Sequence, residues 1–102
     1  MPNDKLLSFL GLARRAGKVQ LGHDPVLDSL RSGRARLVLL ASDLSSHSSG
    51  GILRAAEEEG VPAVTLKHTV DEMGAALGKR AGAVSVEDAG FAQKLETLCA
   101  DR

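Results

Sequence analysis

Aromatic side chains are almost absent from this sequence of 102 residues, which contains two Phe and neither Trp nor Tyr. Single-stranded bases are usually held by stacking on aromatic rings, so the chain lacks the common platform for binding them. The one cysteine, Cys99, excludes an intramolecular disulfide and a cysteine-based zinc site. It lies near Leu95 and Leu98 in a predicted helix, and this spacing favours a packed thiol over a nucleophile.

Long apolar runs are missing as well. No stretch approaches the roughly 18 residues that a membrane helix needs, and the segment Met1–Asp4 lacks the basic and apolar regions of a secretory signal. We therefore expect a soluble, cytoplasmic protein with no membrane partner. Hydrophobic residues make up 43% of the chain and charged residues 25%, as in an ordinary globular domain. Without a linker or an internal repeat, residues 1–102 are expected to form one domain.

Motifs for catalysis and for cofactors are also absent from the sequence. The 11 glycines form neither a P-loop nor a dinucleotide-binding motif. The three histidines (His23, His47 and His68) fall in predicted loops or helix starts without metal-ligand spacing, which favours solvated histidines. The serines around His47 do not form a nucleophile elbow. The sequence predicts no enzyme, no metal and no cofactor.

Four short runs have the composition of β-strands: Val19–Leu21, Leu37–Ala41, Ala63–Leu66 and Ala83–Val86. The second run is apolar throughout and predicts a central strand that is covered on both faces. Helical patterns separate the four runs along the chain. This alternation favours an α/β class fold, a three-layer α/β/α sandwich around a four-stranded, parallel or mixed sheet.

Capping residues mark the predicted helix starts. Asn3 is expected to cap the first helix, and Asp24 the second, with Pro25 at its first helical position. Thr69–Glu72 has the sequence of a capping box. The serine-rich segment Ser42–Gly51 indicates a mobile loop or a poorly fixed helix start.

The net charge of zero conceals an uneven distribution. Residues 1–54 carry eight basic and four acidic side chains, whereas residues 55–102 carry five basic and nine acidic ones. Such a basic cluster can bind nucleic-acid phosphates, but it can also be a solvated face that matches the dipoles of helix ends. Charge alone leaves both interpretations open. The cluster contains Arg14, Arg15, Lys18, Arg31, Arg34 and Arg36.

Two segments, Gly17–Gly22 and Leu30–Asp43, resemble the L7Ae/L30e ribosomal protein family. The later segments Gly60–Pro62, Glu72–Lys79 and Asp88–Ala92 agree with it. The resemblance covers most of the chain and looks closest to the bacterial YlxQ-like branch. It implies an α/β/α sandwich without catalysis or cofactor, in a ribosomal or other ribonucleoprotein setting. It also implies that the partner is structured RNA bent into a kink-turn.

The family's RNA surface implies a set of contact residues in this chain. They lie in the loop after the first strand, in the second helix and its flanks, and in the loop before the fourth helix. By this resemblance the RNA-binding residues are Lys18, Gly22, His23, Asp24, Arg31, Arg34, Lys67 and His68.

The chain departs from the family at the start of the second helix. The family's Asn-Glu-x-x-Lys signature is replaced by Asp24-Pro25-x-x-Asp28. Two carboxylates on one helix face repel phosphate, although Arg31 can pair with Asp28 at i, i+3 spacing. Two functions therefore stay open. The first is binding of structured RNA, and the second is a protein-interaction or ribosome-assembly module of the same fold that has lost kink-turn recognition.

Overall fold

Helices and strands alternate along the chain, as the sequence predicts. The structure, a computed structural model, describes residues 4–100. The helices are α1 (Lys5–Arg15), α2 (His23–Arg31), α3 (Ser46–Glu59), α4 (Val70–Leu77) and α5 (Ala89–Ala100). The strands are β1 (Val19–Leu21), β2 (Leu37–Leu40), β3 (Ala63–Thr65) and β4 (Ala83–Val86).

The four strands form one mixed sheet in the order β1-β4-β2-β3. β2 and β3 are parallel, and β4 runs antiparallel to both β1 and β2. Consequently β1, β2 and β3 finish where β4 begins. We call this the upper end of the sheet, and the opposite end, where β4 finishes, the lower end.

Helices cover both faces of the sheet and confirm the three-layer sandwich. On one face, α1, α4 and α5 bury a core that includes Leu10, Leu39 and Leu95. On the other face, α2 and α3 bury a second core that includes Leu30 and Ile52. All four residues of β2 are buried, which confirms the predicted central strand. Removal of these apolar side chains from water is the main force that holds the layers together.

The caps of the first two helices differ from the expected ones. Asn3 lies outside the described residues, and Asp4 caps α1 by accepting a 3.0 Å hydrogen bond from the Leu7 N–H. The expected Asp24 cap is wrong, because α2 begins at His23 and Gly22 is its N-cap. Gly22 has φ 104° and turns the chain directly from β1 into the helix. Pro25 is then the third helical residue, still in the first turn, where a missing N–H leaves no intrahelical bond unmade.

The start of α3 is also better ordered than its composition indicates. The helix begins at Ser46, and the Ser45 hydroxyl accepts a 3.2 Å hydrogen bond from the Ser48 N–H. Of the two interpretations of Ser42–Gly51, the structure therefore supports a helix start for the second half, from Ser46 onward, while residues 42–45 precede the helix. Buried Ile52, further along α3, packs into the second core, and such tertiary packing outweighs the low helix propensity of serine and glycine.

The capping box of α4 is confirmed. The Glu72 N–H donates to Thr69 Oγ1 at 3.1 Å, and the Thr69 N–H donates to Glu72 Oε1 at 2.8 Å.

Candidate nucleic-acid interface

Five of the eight predicted contact residues follow strands that finish at the upper end of the sheet. Gly22, His23 and Asp24 come directly after β1, and Lys67 and His68 follow β3. Because β1 and β3 are the two outer strands of the sheet, these two groups lie on either side of β4 and β2. The upper end therefore holds two segments that lie more than 40 residues apart in sequence, with the ends of two strands between them.

The other three predicted residues lie at the lower end. Lys18 immediately precedes β1, Arg31 is in the last turn of α2, and Arg34 is in the turn that leads to β2. A three-residue strand spans ~10 Å at 3.3 Å per residue, so a strand length separates these cations from Gly22. The structure thus divides the predicted set between two ends of the molecule.

His68 does not have the solvated position expected of it. Its side chain is buried and its Nε2 pairs with Asp4 Oδ2, while its carbonyl oxygen accepts a 2.8 Å hydrogen bond from the Ser42 N–H. Burial alone would raise the pKa of Asp4, but the Leu7 N–H and His68 outweigh burial and lower it. Sequence spacing gives no sign of this contact, because Asp4 and His68 meet only after α1 packs on the sheet.

A groove opens at the upper end between the starts of α2 and α3. Its volume is about 660 Å³. Gly50 and Gly51 give the α3 side an open floor, and a β-carbon placed on Gly51 would lie 4.0 Å from Cε1 of His23. The lining residues are His23, Ser46, His47, Ser48, Gly50, Gly51 and Arg54.

The groove has a positive electrostatic character. The amino-terminal ends of α2 and α3 meet there, and a helix amino terminus carries a partial positive charge and free N–H groups. The N-cap of α2 is Gly22, which has no side chain to accept hydrogen bonds from the first N–H groups of that helix. Arg54 has no ion-pair partner within residues 4–100. These donors favour an anion, while the exposed carboxylate of Asp24 beside them opposes one.

His23 is the only predicted contact among the residues that line the groove, and the lining residues that were not predicted include His47 and Arg54. Both belong to α3, whose first turn falls in the serine-rich segment that indicates a mobile loop or a poorly fixed helix start. A serine-rich helix start capped by Ser45 was the sequence signal available for them. Their meeting with His23 depends on the packing of α3 beside α2.

The turn Gly78–Gly82 also reaches the upper end. Gly82 accepts a hydrogen bond from the Ala41 N–H, and Ala83 accepts one from the Gly22 N–H, each at 2.9 Å. The turn carries two cations. Lys79 is exposed, and Arg80 Nε donates a 2.8 Å hydrogen bond to the Asp71 carboxylate. Strand order β1-β4 places this turn beside the start of α2, and strand order is not visible in the sequence.

The lower end holds a hydrogen-bonded network around Glu87. Its carboxylate accepts from the Ser29 hydroxyl at 2.7 Å and from Arg34 Nε at 3.2 Å. Arg34 also pairs with Asp28 at 3.0 Å, so the expected Arg31–Asp28 pair is wrong. The turn after α2 brings Arg34 back over that helix, where its backbone N–H donates to the Ser29 carbonyl. Burial alone would raise the pKa of Glu87, but the hydrogen bonds from Ser29, Arg34 and Gln20 outweigh burial and lower it.

Within residues 4–100, no group of three or more His, Cys, Asp and Glu side chains is arranged to hold a metal ion. Over the same residues, no helix combines the length and the apolar character needed to cross a membrane.

The mixed four-stranded sheet between two helical layers defines an α/β/α sandwich protein, and the basic groove is its candidate nucleic-acid interface. Residues 4–96 match the ribosomal protein L7Ae/L30e/S12e/Gadd45 family, and the chain belongs to that family. The family is non-enzymatic, in agreement with the expectation that the chain is not an enzyme. The chain is 40% identical over 91 residues to the RNA-binding protein YlxQ of Bacillus subtilis, covering 88% of this chain and 90% of that protein. This similarity supports the YlxQ-like branch.

Further relatives include a ribosomal protein and two solved structures. Large ribosomal subunit protein eL30 of Dictyostelium discoideum is 37% identical over 100 residues, covering 89% of this chain and 83% of that protein. A Bacillus halodurans protein of unknown function superposes with a TM-score of 0.92 at 32% identity, over 96% of this chain and 99% of that one. The Giardia lamblia 15.5kD RNA binding protein superposes at 0.72 with 21% identity, over 96% and 93% of the two chains, and shows the shared fold.

Proposed function

We propose that this protein is a non-catalytic RNA-binding protein whose upper end binds structured, kink-turn-like RNA in association with the ribosome. The observation that carries the proposal is the groove where the amino termini of α2 and α3 meet. Helix amino termini bind phosphate through backbone N–H groups and the helix dipole. Support also comes from the relatives, which are named as RNA-binding and large-subunit ribosomal proteins.

The groove suits a sharply bent RNA backbone better than a flat single strand. Gly22 has no side chain, so a phosphate can approach the N–H groups of His23 and Asp24 closely. Arg54 can bond a phosphate in a bidentate manner, and His23 and His47 add ring N–H donors. The chain has no Trp or Tyr for base stacking, so recognition rests on backbone shape and charge.

Lys67 and His68, which follow β3, have different roles in the proposed RNA binding. Lys67 is exposed beyond β3 and contacts the RNA farther from the groove. His68 is buried and acts through its pairing with Asp4, which ties α1 to the loop that carries Lys67. The proposal places the protein in the cytoplasm, with structured ribosomal RNA as its partner and residues 1–102 as one domain.

Calorimetry with two RNAs at low salt tests the proposal. One RNA contains an internal loop that forms a kink-turn, and the other has the loop replaced by paired bases. We expect tighter binding to the first RNA and a loss of about tenfold or more in the variant His23→Ala/Arg54→Ala, because charge-assisted contacts to phosphate are removed. The variant Lys5→Ala/Lys94→Ala, with changes at two exposed lysines of α1 and α5, serves as the control. Absence of binding to either RNA would overturn the proposal.

A second function is favoured by the exposed carboxylates of α2. Asp24 is exposed, and the Asp28 side chain is 76% exposed. Acidic groups on this helix suit a protein-interaction or ribosome-assembly module that has lost kink-turn recognition. Affinity capture before and after nuclease treatment separates the two functions. A defined protein partner that survives the nuclease supports the module, whereas recovery of RNA alone opposes it.

A further inference from the structure

The lower end of the sheet carries cations that the groove does not use. Lys18, Arg31 and Arg36 are exposed, and none has an ion-pair partner within residues 4–100. Arg34, between them in the fold, is 48% exposed and is held by Asp28 and Glu87. These four residues place one fixed and three unpaired cations at the lower end, on the side opposite the proposed groove.

Backbone hydrogen bonds place these cations close together. The Glu87 N–H donates to the Lys18 carbonyl, and the Arg36 N–H donates to the Val86 carbonyl, each at 2.7 Å. Lys18 and Arg36 thus flank the end of β4 on its two sides, ~10 Å apart at two strand spacings. The C-terminal turn of α2 adds Arg31 above the same end. We call Lys18, Arg31, Arg34 and Arg36 the lower basic surface.

We infer that the lower basic surface binds the phosphate backbone of a second RNA segment, independently of the groove. This inference extends the proposed function, because it takes RNA as the partner and makes the protein a bridge between two helical segments. Lys and Arg contacts to phosphate are sequence-independent and salt-sensitive, and they need no pocket. A strand length separates the two surfaces, so one short internal loop in the groove leaves the lower basic surface open.

Acidic groups near the lower basic surface limit its extent. Asp28 and Glu87 are both engaged by Arg34. The acidic run Glu57–Glu59 lies at the end of α3, next to β3. Lys18 precedes β1, which is at the opposite edge of the sheet from β3. The carboxyl ends of α1 and α2 each add a partial negative charge, which is smaller than the full positive charge of each Lys or Arg side chain. The phosphate-binding region is therefore restricted to α2 and the lower ends of β1, β4 and β2, away from β3.

The lower basic surface fits RNA better than an acidic protein. Protein interfaces depend on large apolar or aromatic anchors that become buried. The exposed large hydrophobic residues within residues 4–100 are Leu12 in α1 and Leu53 in α3, and neither lies in α2 or in the loops that carry the other cations. A surface of cations without an apolar anchor is typical of backbone phosphate contact.

Fluorescence anisotropy with two RNAs tests the inference. The protein is first saturated with unlabelled kink-turn RNA, and a labelled plain duplex is then titrated at several salt concentrations. We expect the duplex to bind the saturated protein. In the variant Arg31→Gln/Arg36→Gln, the slope of log affinity against log salt should fall in magnitude by about 1.5, at roughly 0.7–0.9 per lost phosphate contact.

The variant Lys5→Gln/Lys94→Gln is the control, because it removes the same charge from exposed positions elsewhere. Thermal unfolding checks both variants, which leave the Arg34 network intact. Failure of the duplex to bind the saturated protein would overturn the inference, as would equal slopes in the two variants. Displacement of the duplex by polyglutamate of matched charge would overturn it in favour of an acidic protein. If kink-turn RNA fails to bind, the proposed function fails, and titration of the duplex into protein alone still tests the lower basic surface.

Discussion

Ser29 and Glu87 join α2 to the end of β4, because the Ser29 hydroxyl donates a 2.7 Å hydrogen bond to the Glu87 carboxylate across 58 residues of sequence. Ser29 is fully buried, and the Glu87 side chain is only 15% exposed. Arg34 bonds the same carboxylate from the solvent side. The contact therefore fixes both the helix and the orientation of a cation on the lower basic surface.

Glu87→Gln should make the protein less stable at neutral pH, by about 1–2 kcal/mol, because it removes charge-assisted hydrogen bonds to a largely buried carboxylate. The pKa of Glu87 is lower in the folded state than in the unfolded state. Its contribution is therefore fully present above the unfolded pKa and is lost as pH falls through the folded pKa. Chemical denaturation from pH 7 to pH 3 should show the difference between wild type and variant shrinking below about pH 4.5.

Glu96→Gln, at an exposed position on α5, provides the control for this pH dependence. A difference between wild type and Glu87→Gln that stays constant down to pH 3 would contradict the prediction.

Asp4→Ala should destabilise the protein more than Asp88→Ala. Asp4 caps α1 through the Leu7 N–H and also pairs with buried His68, whose Nδ1 has no partner within the described residues. Within residues 4–100, the Asp88 side chain accepts only a 2.9 Å hydrogen bond from the Phe91 N–H. Loss of a cap costs ~1 kcal/mol, and a buried histidine left without its partner adds ~1–2 kcal/mol. Urea denaturation of both variants measures the difference, and equal losses would show that the His68 contact contributes nothing.

Gly22→Ala should destabilise the protein by ~1–3 kcal/mol, because φ 104° and ψ 164° are a conformation that only glycine adopts without strain. Gly50→Ala is the matched comparison. Gly50 lies inside α3 with no atom within 4 Å of an added β-carbon, so alanine there should stabilise by ~0.5–1 kcal/mol. Thermal unfolding of the pair should give shifts of opposite sign, and a neutral Gly22→Ala would contradict the backbone geometry at the start of α2.

Asp24→Asn/Asp28→Lys should raise the affinity for kink-turn RNA by about tenfold, because it replaces two carboxylates on α2 by an amide and a cation. Glu96→Gln/Glu58→Lys changes the net charge equally at exposed positions on α5 and α3. Calorimetry on both variants separates a local effect from a general one. An equal gain in the control, or no gain in either, would show that the acidic residues of α2 do not oppose RNA.

Hydrophobic periodicity and capping residues were sufficient to predict the layers of this fold. The apolar run Leu37–Ala41 identified β2 as a central strand, and Thr69 and Glu72 located the start of α4. Boundaries were less accurate where tertiary packing overrides local preference. Ser46 begins a helix despite its serine-rich surroundings because Ile52 is drawn into the core between α2, α3 and the sheet.

The candidate interface was predicted only in part. His23 does line the groove, but Arg54 was missed and His68 proved to be buried. Contact residues of this kind come from several loops, and their meeting depends on which strand ends share an edge. A single sequence specifies the period of each element but does not display the order of the strands.

The sequence by itself determined the class of fold, the absence of stacking aromatics and the uneven charge that places most cations in the first half. Local spacing fixes such properties, because each depends on neighbouring residues or on composition. Only the tertiary structure decided that Lys18 and Arg31 lie at the end of the sheet opposite Gly22. The path of β1 and α2 along the sheet separates residues that are near in sequence. The antiparallel β4 and the packing of α3 bring together residues that are far apart in sequence, Ser29 with Glu87 and His23 with Gly51.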